Sequence, residues 1–232
     1  MSFLDNTIWL FFLTVALYSL GILLSAKRRW IIFNPIILSS AVLIGYLLIL
    51  KIPYEKYQLA GQHIDFFLKP SIVAMAIPLY LQWDNIKKQF GAILLSQFVG
   101  CVFGLFVVVF LAKIMGAETQ VIMSLAPKSV STPIALEVSK SVGGIPSITA
   151  AAVILTGLLG SMAGFQLLSL ARITNPVSQS IAMGTASHAM GTMRAMEFGD
   201  KYGAFASVGM IFNGILTAFL APYILIFLKP YL

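Results

Sequence analysis

The chain has 232 residues, of which 59% are apolar and only 10% charged, whereas a soluble domain carries roughly 45–50% apolar and about 25% charged residues. So few charges cannot cover a soluble surface of this size, which excludes a soluble domain. The net charge of +7 does not point to nucleic acid, because the basic residues are scattered at the ends of apolar segments, where they orient a membrane protein.

Eight apolar segments follow one another, at residues 7–25, 31–50, 57–82, 92–114, 118–142, 147–171, 176–198 and 203–228. Residues 7–25, 31–50 and 92–112 contain no charge, and each run has about the 20 residues a helix needs to cross ~30 Å of hydrocarbon. Lipid offers no partners to open backbone groups, so the segments are predicted to be helices. The first has no basic residue before it and is followed by Lys27, Arg28 and Arg29. It therefore reads as a retained helix with the next loop in the cytoplasm. Asn34-Pro35 is the predicted cap of segment two.

Segments two, four, six and eight are continuous, whereas three, five and seven are interrupted. Segment three holds Lys69-Pro70 and Pro78. Segment five holds Pro127, Lys128, Ser129, Ser131, Thr132 and Pro133. Segment seven holds Gly184, Thr185, Ser187, His188, Gly191 and Thr192. Proline removes a backbone donor and glycine weakens a helix, and irregular backbone at membrane depth survives only inside protein or along a wet cavity. Pro70, Pro78, Pro127, Pro133, Gly184 and Gly191 are the predicted break points. If segment three crosses fully, Lys87 and Lys88 share the face of Lys27; if it is a re-entrant hairpin, the two halves are inverted. A single transmembrane domain over residues 1–232 is expected, built from approximate repeats 1–116 and 117–232, because the stretch after Pro35 resembles the stretch after Pro146. Related halves with broken helices point to a transporter.

A lysine at mid-membrane costs ~2.5–3.5 kcal/mol on insertion scales and needs a partner or a cavity. Lys128 either faces a cavity or snorkels to an interface. Ser131 or Thr132 is placed to cap a helix starting at Pro133, whose free N–H groups suit an anion. In segment seven, Thr185, Ser187, His188 and Thr192 are candidate cavity residues. His188, titrating near neutral pH, either carries a coupling proton or bonds a neighbouring carbonyl. Arg194 either forks onto a substrate carboxylate or pairs with Glu197 or Asp200. Asn213 reads as glue between helices, and Gly100 and Gly104 at G-x-x-x-G spacing read as a homodimer face. Cys101 is the only cysteine, so a disulfide within the chain is excluded and no metal or cofactor is expected. Enzyme signatures are missing, and Lys128 and Ser129, being adjacent, do not face each other as a hydrolytic pair on a helix.

The stretch from Leu125 to Ala135, Gly143-Gly144-Ile145-Pro146 and the stretch from Gly184 to Thr192 resemble the signature of the LrgB/CidB family of bacterial inner-membrane proteins. Asn34-Pro35, Tyr54-x-x-Tyr57 and Pro78-Leu79-Tyr80 also match. Ser131 stands where many members have threonine, and Met193 where alanine is usual. The resemblance implies one of two roles. One is carriage of small monocarboxylates such as pyruvate, glycolate, glycerate or 3-hydroxypropionate. The other is holin/antiholin-like modulation of murein hydrolase export and autolysis with a small LrgA/CidA-type membrane partner. A carrier uses two polar breaks within one chain and a hole-forming protein has little use for them, so transport is the expected function.

Overall fold

The computed structural model describes residues 5–27, 35–74 and 76–231. Every regular element among them is helical: α1 Thr7–Lys27, α2 Pro35–Ile49, α3 Tyr54–Ala74, α4 Ala76–Leu81, α5 Trp83–Lys88, α6 Phe90–Ile114, α7 Thr119–Leu125, α8 Thr132–Val142, α9 Pro146–Leu170, α10 Pro176–Met196 and α11 Asp200–Leu228. Four of the described helices, α1, α6, α9 and α11, are long and apolar enough to cross a membrane. The chain is an all-α, multi-pass membrane protein.

Two compact units are present, Met1–Ala74 and Met75–Leu232. In the first, α1 packs on α2 and α3. The Trp9 indole N–H donates to the Tyr46 hydroxyl at 2.9 Å. Lys56 pairs with Asp5 at 2.6 Å, and that hydrogen bond holds the Asp5 carboxyl below the usual carboxylate range. Pro35 opens α2 as expected, whereas Asn34 lies outside the described residues. Pro70 does not break segment three: α3 runs through it to Ala74. Pro78 falls in the first turn of α4, where the missing N–H has no intrahelical acceptor to lose.

In the second unit, segment five is a hairpin that goes in and comes back. Ile122 and Met123 of α7 share a buried cluster with Val138 and Val142 of α8. The Ile145 N–H donates to the Ser124 hydroxyl at 2.6 Å. In one straight helix, residues 124 and 145 would stand about 30 Å apart. The tip is the turn at residues 126–131, where Pro127 cannot continue the helix and Pro133 favours starting the next one. Gly143, at φ 85°, closes α8 in the left-handed conformation that glycine adopts without strain.

Segment seven folds back as well. Ser187 (φ −127°, ψ 16°) and His188 (φ 43°, ψ −134°) leave the helical region inside α10. Beyond them the chain returns: the Phe198 ring lies 4.4 Å from that of Phe165, near the end of α9. The break is therefore not at the glycines. Gly184 and Gly191 sit within the two arms, where their missing side chains permit close packing; a Cβ at Gly184 would strike the Ala206 carbonyl of α11. The re-entrant form considered for segment three is the form that segments five and seven take.

α6 and α11 run parallel. Phe90 stacks near Phe212 with ring centroids 5.7 Å apart, Cys101 lies 3.3 Å from the Thr217 hydroxyl, and Lys113 donates to the Tyr231 carbonyl. α9 runs the other way, its Phe165 meeting Tyr202 at the start of α11. The first hairpin thus enters from the face where α6 ends, and the second from the opposite face.

Candidate functional site

The two hairpins are joined at their tips by one side chain of α11. Asn213 donates its amide to the Ser129 carbonyl at 3.2 Å and to the Thr185 carbonyl at 2.9 Å. Thr185 in turn exchanges hydrogen bonds with the buried Gln97 of α6 at 2.7 and 2.9 Å. A polar group in an apolar span must find partners within the protein, and here one carbonyl from each break supplies them.

Beside this junction lies a cavity of about 260 Å³ between the first tip, α6 and α11. Lys128, Ser129 and Thr185 line it, together with Asn213, Thr217 and Cys101; Gly100, Gly104, Val107 and Val108 form an apolar wall. Lys128 is half-buried, its Nζ lies 3.4 Å from the Ser129 hydroxyl, and no described carboxylate pairs with it. Among the described residues no cluster of histidine, cysteine or acidic side chains could hold a metal. The lining thus combines one cation, a few hydroxyl and amide groups and an apolar wall.

Of the residues singled out in the sequence, the structure brings Lys128, Ser129 and Thr185 to the cavity. Ser131 and Thr132 are half-buried at the start of α8. The helix begins at Thr132 rather than Pro133, and Ser131 takes the N-cap position without making a side-chain capping bond. Ser187, His188 and Thr192 are buried inside the second hairpin. The His188 ring nitrogen Nε2 lies 3.0 Å from the Val153 carbonyl of α9, and the Thr192 hydroxyl donates to the His188 carbonyl at 2.9 Å. Glycines of α9 make this possible, since a Cβ at Gly157 would meet the imidazole and one at Gly160 the Ser187 side chain. Arg194 stands away from the cavity because the second arm returns to the membrane face; it pairs with Glu197 and lies 5.3 Å over the Phe198 ring. Gly100 and Gly104, expected as a dimer face, line the cavity. Sequence reasoning passed over Gln97, Thr217 and the place of Cys101. The signal for Gln97 was present, an amide in the middle of an otherwise greasy span.

Fold and site together define a polytopic helical membrane protein with two re-entrant hairpins inserted from opposite faces and tied tip to tip beside Lys128. The sequence model of the LrgB-like family matches residues 14–227. YwbG of Bacillus subtilis (strain 168) is 39% identical over 222 residues, covering 94% of this chain and 96% of that protein. The antiholin-like protein LrgB of Bacillus cereus (strain B4264) is 35% identical over 212 residues, covering 91% and 92%. The protein belongs to the LrgB-like family. No solved structure matches it.

Proposed function

We propose that the protein is a secondary carrier of small monocarboxylates of the pyruvate, glycolate, glycerate and 3-hydroxypropionate class, working in the bacterial inner membrane. The observation that carries this reading is Lys128, a cation without a carboxylate partner among the described residues, held at a hairpin tip beside a cavity. A charge at that depth is costly unless it serves a ligand or a polar cavity. The carboxylate of the substrate pairs with Lys128, its hydroxyl or keto oxygen meets Ser129, Thr217 or Asn213, and its carbon chain lies on the Val107 and Val108 wall. Movement of one hairpin tip away from the Asn213 tie then opens the cavity to one face at a time.

A second reading rests on the relatives. Those from Bacillus cereus bear the name antiholin-like protein LrgB, and that name supports an antiholin-like role better than it supports carriage; in this reading the protein modulates murein hydrolase export and autolysis with a small LrgA/CidA-type membrane partner. Purified protein in sealed liposomes separates the two. Saturable uptake of labelled pyruvate or glycolate, with an enclosed dye retained, is the carrier result. Leakage of dyes of several sizes without saturable uptake is the holin-like result. Chemical turnover of the carboxylate in detergent, with no second compartment, would overturn both.

A further inference from the structure

Arg194 belongs to a different feature. At the face from which the second hairpin enters, the end of α9 and the end of the hairpin's return arm form a surface depression. Arg172 and Arg194 line it with Gln166 and Ser169, over the rings of Phe165 and Phe198. Phe165, Phe198 and Tyr202 lie within 6.0 Å of one another by ring centroid, as in the aromatic belts found at membrane interfaces. The Arg194 guanidinium pairs with Glu197 and lies over the Phe198 ring. Arg172 is exposed, and no described carboxylate pairs with it.

The backbone at Arg172 is the more telling observation. It follows the last turn of α9 at φ 60°, and its N–H donates to the Ser169 carbonyl at 2.9 Å. This left-handed position favours glycine, and an arginine there is held at a cost. The same face of this unit carries Lys87, Lys88 and Lys201, whereas the opposite face carries Lys113, Lys140 and Lys229. With the two arginines the count is five against three, which by the positive-inside rule makes this the cytoplasmic face. Anionic lipids there attract basic pockets between spans.

We infer that the Arg172–Arg194 depression binds the phosphodiester headgroup of an anionic phospholipid, with the acyl chains descending along the α9 surface. The two guanidinium groups donate to the phosphate oxygens, Gln166 and Ser169 meet the glycerol, and the Phe165–Phe198 pair supports the first carbons of the chains. The inference is independent of the carrier reading, since the depression is separate from the Lys128 cavity.

Native mass spectrometry of the full chain in a neutral detergent tests it, with phosphatidylglycerol and phosphatidylcholine of identical acyl chains as probes. The wild type retains phosphatidylglycerol preferentially. Arg172→Gly lowers that retention about fivefold, which is the roughly 1 kcal/mol expected of one basic residue at an anionic surface. Phosphatidylcholine, which carries the same phosphate but no net charge, loses less retention, and the melting temperature does not fall in this variant, because glycine suits the left-handed turn. Adding Arg194→Gln lowers retention about fivefold again. Equal retention of the two lipids by the wild type, or undiminished phosphatidylglycerol binding by a folded Arg172→Gly, would overturn the proposal. Full displacement of the lipid by millimolar inorganic phosphate would also overturn it, in favour of a soluble anion.

Discussion

The two hairpins look alike in the sequence and are built differently. The first turns through six residues, with Pro127 inside the turn and Pro133 just after it, and its tip, with Lys128 half-buried and Ser129 beside it, borders an open cavity. The second turns through two residues, and its tip is sealed: Ser187 and His188 are buried against glycines of α9, with the imidazole bonded to a backbone carbonyl. A polar interruption of a membrane helix can thus border open space or can be taken up by the turn itself. What separates the two is the packing opposite. Small residues on α6 leave room before the first tip, whereas small residues on α9 are filled by the side chains of the second.

The largest test of that contrast is at the first tip. Lys128→Ala removes one charge-assisted hydrogen bond, about 1.5–3 kcal/mol, and should weaken carboxylate binding roughly 10- to 100-fold. Lys128→Arg should not restore it, since a planar guanidinium does not take the place of an ammonium. Protection of Cys101 from a small thiol reagent by added carboxylate measures the affinity directly, as this is the only thiol in the chain and it borders the cavity. Unchanged protection in Lys128→Ala would place the site elsewhere.

Next comes the sealed tip. Gly160→Val forces a branched side chain into the space of Ser187 and should cost about 1–3 kcal/mol of stability through overpacking. Thermal unfolding in detergent would show it, and a variant as stable as the wild type would mean that the tip is not sealed.

Asn213→Leu keeps the volume roughly and removes the tie between the tips. Two carbonyls lose a donor, each at about 1–3 kcal/mol if left unsatisfied, though either can recover a partner when a tip moves. The expected result is faster labelling of Cys101 without substrate, with a smaller fall in melting temperature than in Gly160→Val. Labelling at the wild-type rate would remove the tie from the mechanism.

His188→Ala has the smallest expected effect on carboxylate binding; it removes one hydrogen bond, about 0.5–1.5 kcal/mol of stability, together with the packing of a buried ring, and it tells packing from proton coupling. As a packing residue, His188 lost gives lower stability with the pH profile of uptake retained. As a proton carrier, His188 lost abolishes the pH dependence of uptake while exchange continues. The bond to Val153 favours the first outcome.

What the sequence determined by itself was the solvent and the secondary structure. Charge-free runs of about 20 residues cannot be anything but membrane helices, and Pro127, Pro133 and the polar run around His188 marked both interruptions. Lys128 was legible for the same reason, because an ion at that depth is costly wherever the chain goes. What only the tertiary structure decided was direction. A broken apolar segment has the same composition whether it crosses or returns, so nothing local told that residues 119–142 and 176–196 fold back. That return decided between the two expected partners of Arg194, pairing it with Glu197, and brought Ser124 to Ile145. Nor did the sequence assign faces: Gly184 and Gly191 read as break points and act as packing surfaces, because the cost of a Cβ depends on what stands opposite. Gln97 and Asn213 found their partners in the same way, since hydrogen-bond partners 88 and 84 residues apart are chosen by how helices pack and by nothing in their own neighbourhoods.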